Sequence, residues 1–168
     1  GYLLRGRYLW AMGVRDLALQ DLAWAIRLAP DDAEPYLIRA CMRMESMSSG
    51  MMPSPDLDFV VGDLDAAVTR EKKGEMARLV RAHVRLVYLK QEKAGRSDIE
   101  AWNAANPDHG WTLAGTVEVI AREGGALFLV GIGILGTKDS ELRPGCLQYA
   151  RRLCGKIEEG ADRKALVP

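Results

Sequence analysis

"YLLRGRYLWAMGVRDLALQDLAWAIRLAP" spans Tyr2 to Pro30, and its opening returns as "PYLIRACMRM" at Pro35 to Met44. Tyr2 recurs as Tyr36, Arg5 as Arg39 and Gly6 as Ala40, each after 34 residues. A fixed period of this size marks an array of units, each too small to bury its own apolar face. Inside the first unit, Tyr2, Leu3, Leu4, Leu9 and Trp10 recur at helical spacing until Gly13 breaks the run. A second helix carries Leu17, Ala18, Leu22, Ala25, Ile26 and Leu28 and ends before Pro30. Gly6, Ala18 and Ala25 are small where two antiparallel helices must approach. Asp31 and Asp32 are placed to cap the next helix, with Pro35 in its first turn.

The second unit keeps the 34-residue offset in its first helix, but Asp21-Leu22 and Ala25 return as Asp63-Leu64 and Ala67, 42 residues on. The eight extra residues fall within Met44 to Asp56, where Ser, Gly and Pro predict a loop that also carries four methionines. A third unit starts at Met76, with Arg81-Ala82 matching Arg39-Ala40. Its closing "SDIEAWNAANP" puts Asp98 and Pro107 in the places of Asp21 and Pro30, and Trp102 in that of Ala25. Ser97 and Glu100 form a capping-box pattern, which predicts a short helix starting there.

These residues resemble the tetratricopeptide repeat. The family's aromatic, small and proline positions fall on Tyr2, Gly6, Gly13, Ala18, Leu22, Ala25 and Pro30, while Leu9 replaces a tyrosine-like position. Beyond Pro107, "GWTLAGTVEVIARE" is an amphipathic helix through Leu113, Val117, Ile120 and Ala121. The apolar run Gly124 to Gly136 is too short to span a bilayer, which takes roughly 20 residues, and predicts a buried helix, with a buried strand as the alternative. From Ala126 the chain resembles a Sel1-like repeat through Ala126, Gly131, Gly136, Asp139, Cys146, Tyr149 and Gly160. The expectation is an all-α fold of eight helices in four antiparallel hairpins, stacked as a short α-solenoid. One domain covers 1–168, with units near 1–32, 33–73, 74–107 and 108–168.

Bulk properties point the same way. Basic and acidic residues balance at 23 each, so net charge gives no steering toward nucleic acid or anionic membrane. Aromatics at 7% suit small-residue helix packing better than a β-sandwich. Cys41, Cys146 and Cys154 form no Cys-x-x-Cys pair, and two histidines complete no zinc pattern. They read as free thiols in a reducing, cytoplasmic setting. The chain begins at Gly1 without an initiator Met and reads as a fragment or processed form, so an upstream signal or anchor can have been removed.

No catalytic constellation stands out. His83 and Cys41 face the same way in the repeat register, but a dyad requires geometry beyond spacing, and both read as lining residues. His109 belongs to a Pro107–Gly110 turn. Gly131-x-Gly133-x-x-Gly136 lacks the flanking strand and acid of a dinucleotide site. Arg78, Arg81 and Arg85 lie at helical spacing near Glu71, Glu75, Glu92 and Asp98, and read as a solvated mixed face. No metal or cofactor is expected.

The resemblance implies a non-catalytic scaffold whose first helices line a concave groove for a partner protein or peptide. Carried over by position, the groove residues are Leu3, Arg7 and Trp10, then Leu37, Cys41 and Met44, then Leu79, His83 and Leu86. The wall lacks the Lys and Asn of members that clamp a C-terminal carboxylate. An apolar extended segment or an amphipathic helix is the expected guest. The alternatives are a homo-oligomeric assembly module, whose apolar C-terminal hairpins would bury against a second copy, or a secretion-type chaperone. An enzyme on the same frame is the least expected.

Overall fold

The computed structural model describes residues 1–48, 57–71, 76–106 and 112–132. Among them the chain is helical throughout, with no strand: α1 Tyr2–Ala11, α2 Arg15–Leu28, α3 Glu34–Ser48, α4 Leu57–Arg70, α5 Ala77–His83, α6 Glu92–Ala105, α7 Leu113–Glu123 and α8 Ala126–Ile132. A π-helical turn, Val84–Tyr88, extends α5. α1 pairs with α2, α3 with α4, and α5 with α6, and each hairpin touches the next through α2–α3 and α4–α5.

Each hairpin carries the same ion pair between its two helices. Arg5 donates from Nε and Nη2 to the two carboxylate oxygens of Asp21, both at 2.6 Å. Arg39 grips Asp63 in the same fork at 2.8 and 2.6 Å. Arg81 grips Asp98 at 3.0 and 2.5 Å. The partners are separated by 16, 24 and 17 residues, so each hairpin absorbs a different insertion while keeping the clasp. In the second hairpin α3 runs three residues beyond the point equivalent to the end of α1, to Ser48, and α4 begins at Leu57, the equivalent of Arg15. The single additional residue of the third is taken up by the π turn, which winds one more residue into the helix before the chain reverses.

The turns confirm that correspondence. Gly13 has φ +79°, and its equivalent Lys90 has φ +56°, so both occupy the left-handed region. Next, Val14 and Gln91 share φ/ψ of −86°/70° and −90°/68° as N-caps of α2 and α6. The C-caps Ala29 and Asn106 agree equally well, at −138°/72° and −130°/63°.

Two local expectations change. α6 begins at Glu92 rather than at Ser97, because the left-handed turn at Lys90 launches it; Ser97 and Glu100 lie inside the helix, on its exposed side. α3 continues through Met44 to Ser48 instead of ending in a loop, with Met44 wholly buried and Met47 packed on the core. Met51 and Met52 lie outside the described residues. At the start of α3 it is Asp32 that caps, its Oδ1 accepting from the Glu34 N–H at 3.0 Å.

The main core gathers Trp10, Leu22, Ile38, Met42, Val60, Leu64, Val80 and Phe128 from six helices. A second cluster lies between α5, α6 and α7, built on Leu79, Ala82, Ile99 and Ile120, with Trp102 half-buried at its edge. α7 is amphipathic as its spacing predicts, and the Thr112 hydroxyl caps it by accepting from the Gly115 N–H at 3.2 Å. The run from Gly124 is a helix where described. α8 leaves α7, however, and packs chiefly along α3. Of the residues carrying the Sel1-like resemblance, Gly136, Asp139, Cys146, Tyr149 and Gly160 lie outside the described residues, as do Cys154 and His109.

Candidate functional site

α1, α3 and α5, the first helices of the three hairpins, carry the nine residues expected to line a groove. Their surroundings differ from hairpin to hairpin. Leu3 is half-buried against the main core. Arg7 is turned to Glu34 of the next hairpin, with which it forms an ion pair. Trp10 is 3% exposed, roofed by the Arg15 guanidinium 4.2 Å from its ring centre. Arg15 in turn reaches Glu45 at 2.9 Å. Two ion pairs therefore tie hairpin one to α3, and both bracket the buried tryptophan and its neighbours.

On α3, Leu37, Cys41 and Met44 are buried in the main core. On α5, Leu79 is buried in the second cluster, away from Cys41, and Leu86 is half-buried over Gly95. His83 is 4% exposed and stands between the two clusters. Its Nδ1 lies 2.6 Å from the Ile120 carbonyl oxygen, so that nitrogen carries the proton and donates. Its ring meets Phe128 of α8 edge-on at 5.4 Å and Tyr88 at 5.8 Å. Burial lowers the His83 pKa, and the Ile120 hydrogen bond opposes that only in part. The imidazole is held neutral.

The cover over α3 and α5 is the chain's own α8. Gly131 sits directly on Cys41, with no room for a β-carbon against the thiol. Gly124, the C-cap of α7 just before α8, meets the His83 ring in the same way. Phe128 and Ile132 complete the contact, 1% and 0% exposed. An apolar helix bearing a glycine thus lies on the wall that Cys41 and His83 were expected to present. Those two residues do not act as a dyad: His83 Nδ1 is engaged by Ile120, and burial pushes the Cys41 thiol far above its usual range.

The Arg81–Arg85 stripe is likewise not a solvated face. Arg85 shares Asp98 with Arg81, donating at 2.8 Å, and both reach Asp65 of α4, at 2.7 Å from Arg81 and 3.3 Å from Arg85. Their side chains are 12% and 18% exposed. Burial opposes the Arg81 charge, but hydrogen bonds and charge from Asp98 and Asp65 outweigh it and raise its pKa. Among the described residues no group of three His, Cys, Asp or Glu side chains converges as a metal site.

Family models, curated proteins and solved structures were all compared with the chain, and none matches it.

Sequence reasoning missed the Arg–Asp clasp and the role of α8. The first was open to detection: Arg5, Arg39 and Arg81 recur, and so do Asp21, Asp63 and Asp98. The second had only the spacing of Gly124 and Gly131 to announce it. No described helix is long and apolar enough to cross a membrane.

Proposed function

We propose that this chain is a non-catalytic helical-repeat scaffold of the tetratricopeptide type, a short α-solenoid that recognises a helical segment of a partner protein on its inner wall. The observation that carries the reading is α8. A short apolar helix lies along α3 and α5, seated on Cys41 by Gly131 and on His83 by Phe128, so the wall accepts a helix, here one supplied in cis. Recurrence of the clasp and of the turn geometry supports the repeat assignment. A guest in trans engages the wall at the hairpin-one end, around Leu3 and Arg7, beside the part that α8 covers. An amphipathic helix fits this better than an extended strand, because every wall contact made by α8 is a helix contact. We assign it to the reducing cytoplasm, where a buried free Cys41 is stable.

The test is site-specific photo-crosslinking in cell lysate. A crosslinker at Arg7 should trap a discrete partner, whereas one at exposed Glu100 on α6 should not. Partners trapped equally from both positions would contradict the groove.

A further inference from the structure

The first six helices obey one rule of pairing: each even-numbered helix lies against the helix before it. α8 breaks it. It follows α7 through the two-residue link Gly124–Gly125, but it packs chiefly along α3, more lightly on α5 and scarcely on α7. A helix that continued the array would lie on its own hairpin partner. α8 instead reaches back past α5 to α3, the position of a guest on the wall rather than of a repeat helix.

The contact is also built as a guest's is. Phe128, Gly131 and Ile132 stand at i, i+3 and i+4, the spacing by which a helix lays an apolar face into a groove. Each position answers a demand of the wall. At Gly131 the Cys41 thiol leaves no space for a side chain, so only glycine lets the two helices approach this closely. Three residues earlier, Phe128 meets the His83 ring edge to face. One residue later, Ile132 is fully buried in the main core with Cys41 and Met44. Leu127 packs against both hydrophobic clusters. The covered section offers a thiol, a thioether and an imidazole that burial holds neutral, so it asks no charge of its guest.

The link is suited to exchange. It consists of glycines alone, and a β-carbon added at Gly125 would have nothing within 4 Å, so the chain is free to turn there. α7 keeps its own place on α5 and α6.

We infer that α8 is a built-in competitor, which fills the Cys41–His83 section of the wall in the free chain and yields it to a partner helix of the same pattern: a large aromatic residue, glycine three positions on, and a β-branched apolar residue next to that glycine. This rests on the groove reading and adds to it the contact residues of the guest and a gate on their access. A partner helix that engages Leu3 and Arg7 extends along α3 as α8 leaves.

The probe is a lysine-solubilised helical peptide with Phe-x-x-Gly-Ile on one face. The reporter is Cys41 in the full chain, with Cys146 and Cys154 replaced by serine. Gly131→Leu should unseat α8 and raise the rate at which a thiol reagent modifies Cys41 at least tenfold, with the helical circular dichroism retained. The peptide should bind this variant at least tenfold more tightly than the parent and return Cys41 to slow modification. A peptide with leucine in place of its glycine should do neither. Phe128→Ala, which removes an anchor without overpacking, should move both readouts the same way by a smaller factor. Cys41 as protected in both folded variants as in the parent would overturn the inference, and so would a peptide that binds parent and variants equally or not at all. The Arg7 crosslink reads the groove separately. A discrete partner trapped there while Cys41 stays protected in both variants overturns the exchange alone, whereas peptide exchange with no partner trapped at Arg7 contradicts the groove reading instead.

Discussion

Hairpins one and three are built on one plan, yet they share almost no side chains. Their turn dihedrals agree within about ten degrees at the N-cap and C-cap of the second helix. Their clasps have the same fork geometry. The small residues that permit close approach have exchanged sides. In hairpin one Gly6 of α1 meets Ala18 of α2, where an added β-carbon would stand 3.2 Å from the Ala18 carbonyl oxygen. In hairpin three Ala82 of α5 meets Gly95 of α6, and the equivalent distance to the Ala82 carbonyl is 3.3 Å. Backbone approach and charge pairing are thus kept, while the identities that supply them drift. What differs is burial. Arg81 and Arg85 are enclosed between α4 and α6, whereas Arg5 remains in water.

That difference sets a scale of expected effects. The largest is at Asp98, which holds two largely buried guanidinium groups. Asp98→Ala should destabilise the protein by about 3–5 kcal/mol, as removing one partner of a buried pair does. Asp21→Ala should cost far less, because Arg5 returns to solvent. Chemical denaturation of the two variants would settle the order, and equal losses would mean that burial does not set the strength of the clasp. Next comes Gly95, whose added β-carbon would lie 2.6 Å from Leu86 Cγ. Gly95→Val should cost about 1–3 kcal/mol through overpacking, read from the shift in denaturation midpoint.

Acid should separate the two hairpins as well. Burial depresses the His83 pKa below its ordinary 6.5, so the unfolded chain takes up a proton that the folded chain refuses. Stability is unaffected above pH 6.5 and falls as pH drops from there toward the folded-state value. His83→Gln should abolish that limb in a pH series of thermal midpoints. Asp21 behaves differently: the Arg5 hydrogen bonds lower its pKa against the opposing effect of burial. Its contribution is complete above the ordinary carboxylate value and is lost only at stronger acid, as pH falls through the lowered value. The smallest effect is at Lys90. Relief of left-handed strain by Lys90→Gly, about 1 kcal/mol or somewhat more, is offset by glycine's entropy cost of about 0.5–1 kcal/mol. A net gain of a few tenths of a kcal/mol is expected, whereas Gly13→Ala should lose stability.

The helices and their pairing were legible because apolar spacing and the Tyr-Leu-x-Arg recurrence are local signals. The clasp was partly legible, since both of its residues recur in sequence, but charge recurrence on a helix ordinarily means a solvated face. Only the tertiary contact of α5 with α4 and α6 turns Arg81 and Arg85 inward. The start of α6 was misread because Ser97 and Glu100 satisfy a capping pattern, while the decisive left-handed turn falls on a lysine rather than a glycine. The cover on Cys41 and His83 was not legible, since α8 reaches α3 from more than 80 residues away in sequence. Periodicity says which face of a helix is apolar. It does not say which distant helix lies on it.

One hairpin is repeated three times, each copy closed by the same Arg–Asp clasp. Double-mutant cycles on Arg5/Asp21, Arg39/Asp63 and Arg81/Asp98 test it most directly. Favourable coupling is expected in all three, weakest at the exposed first pair and about 1 kcal/mol or more at the other two. Absence of coupling at Arg39/Asp63 and Arg81/Asp98 would contradict it.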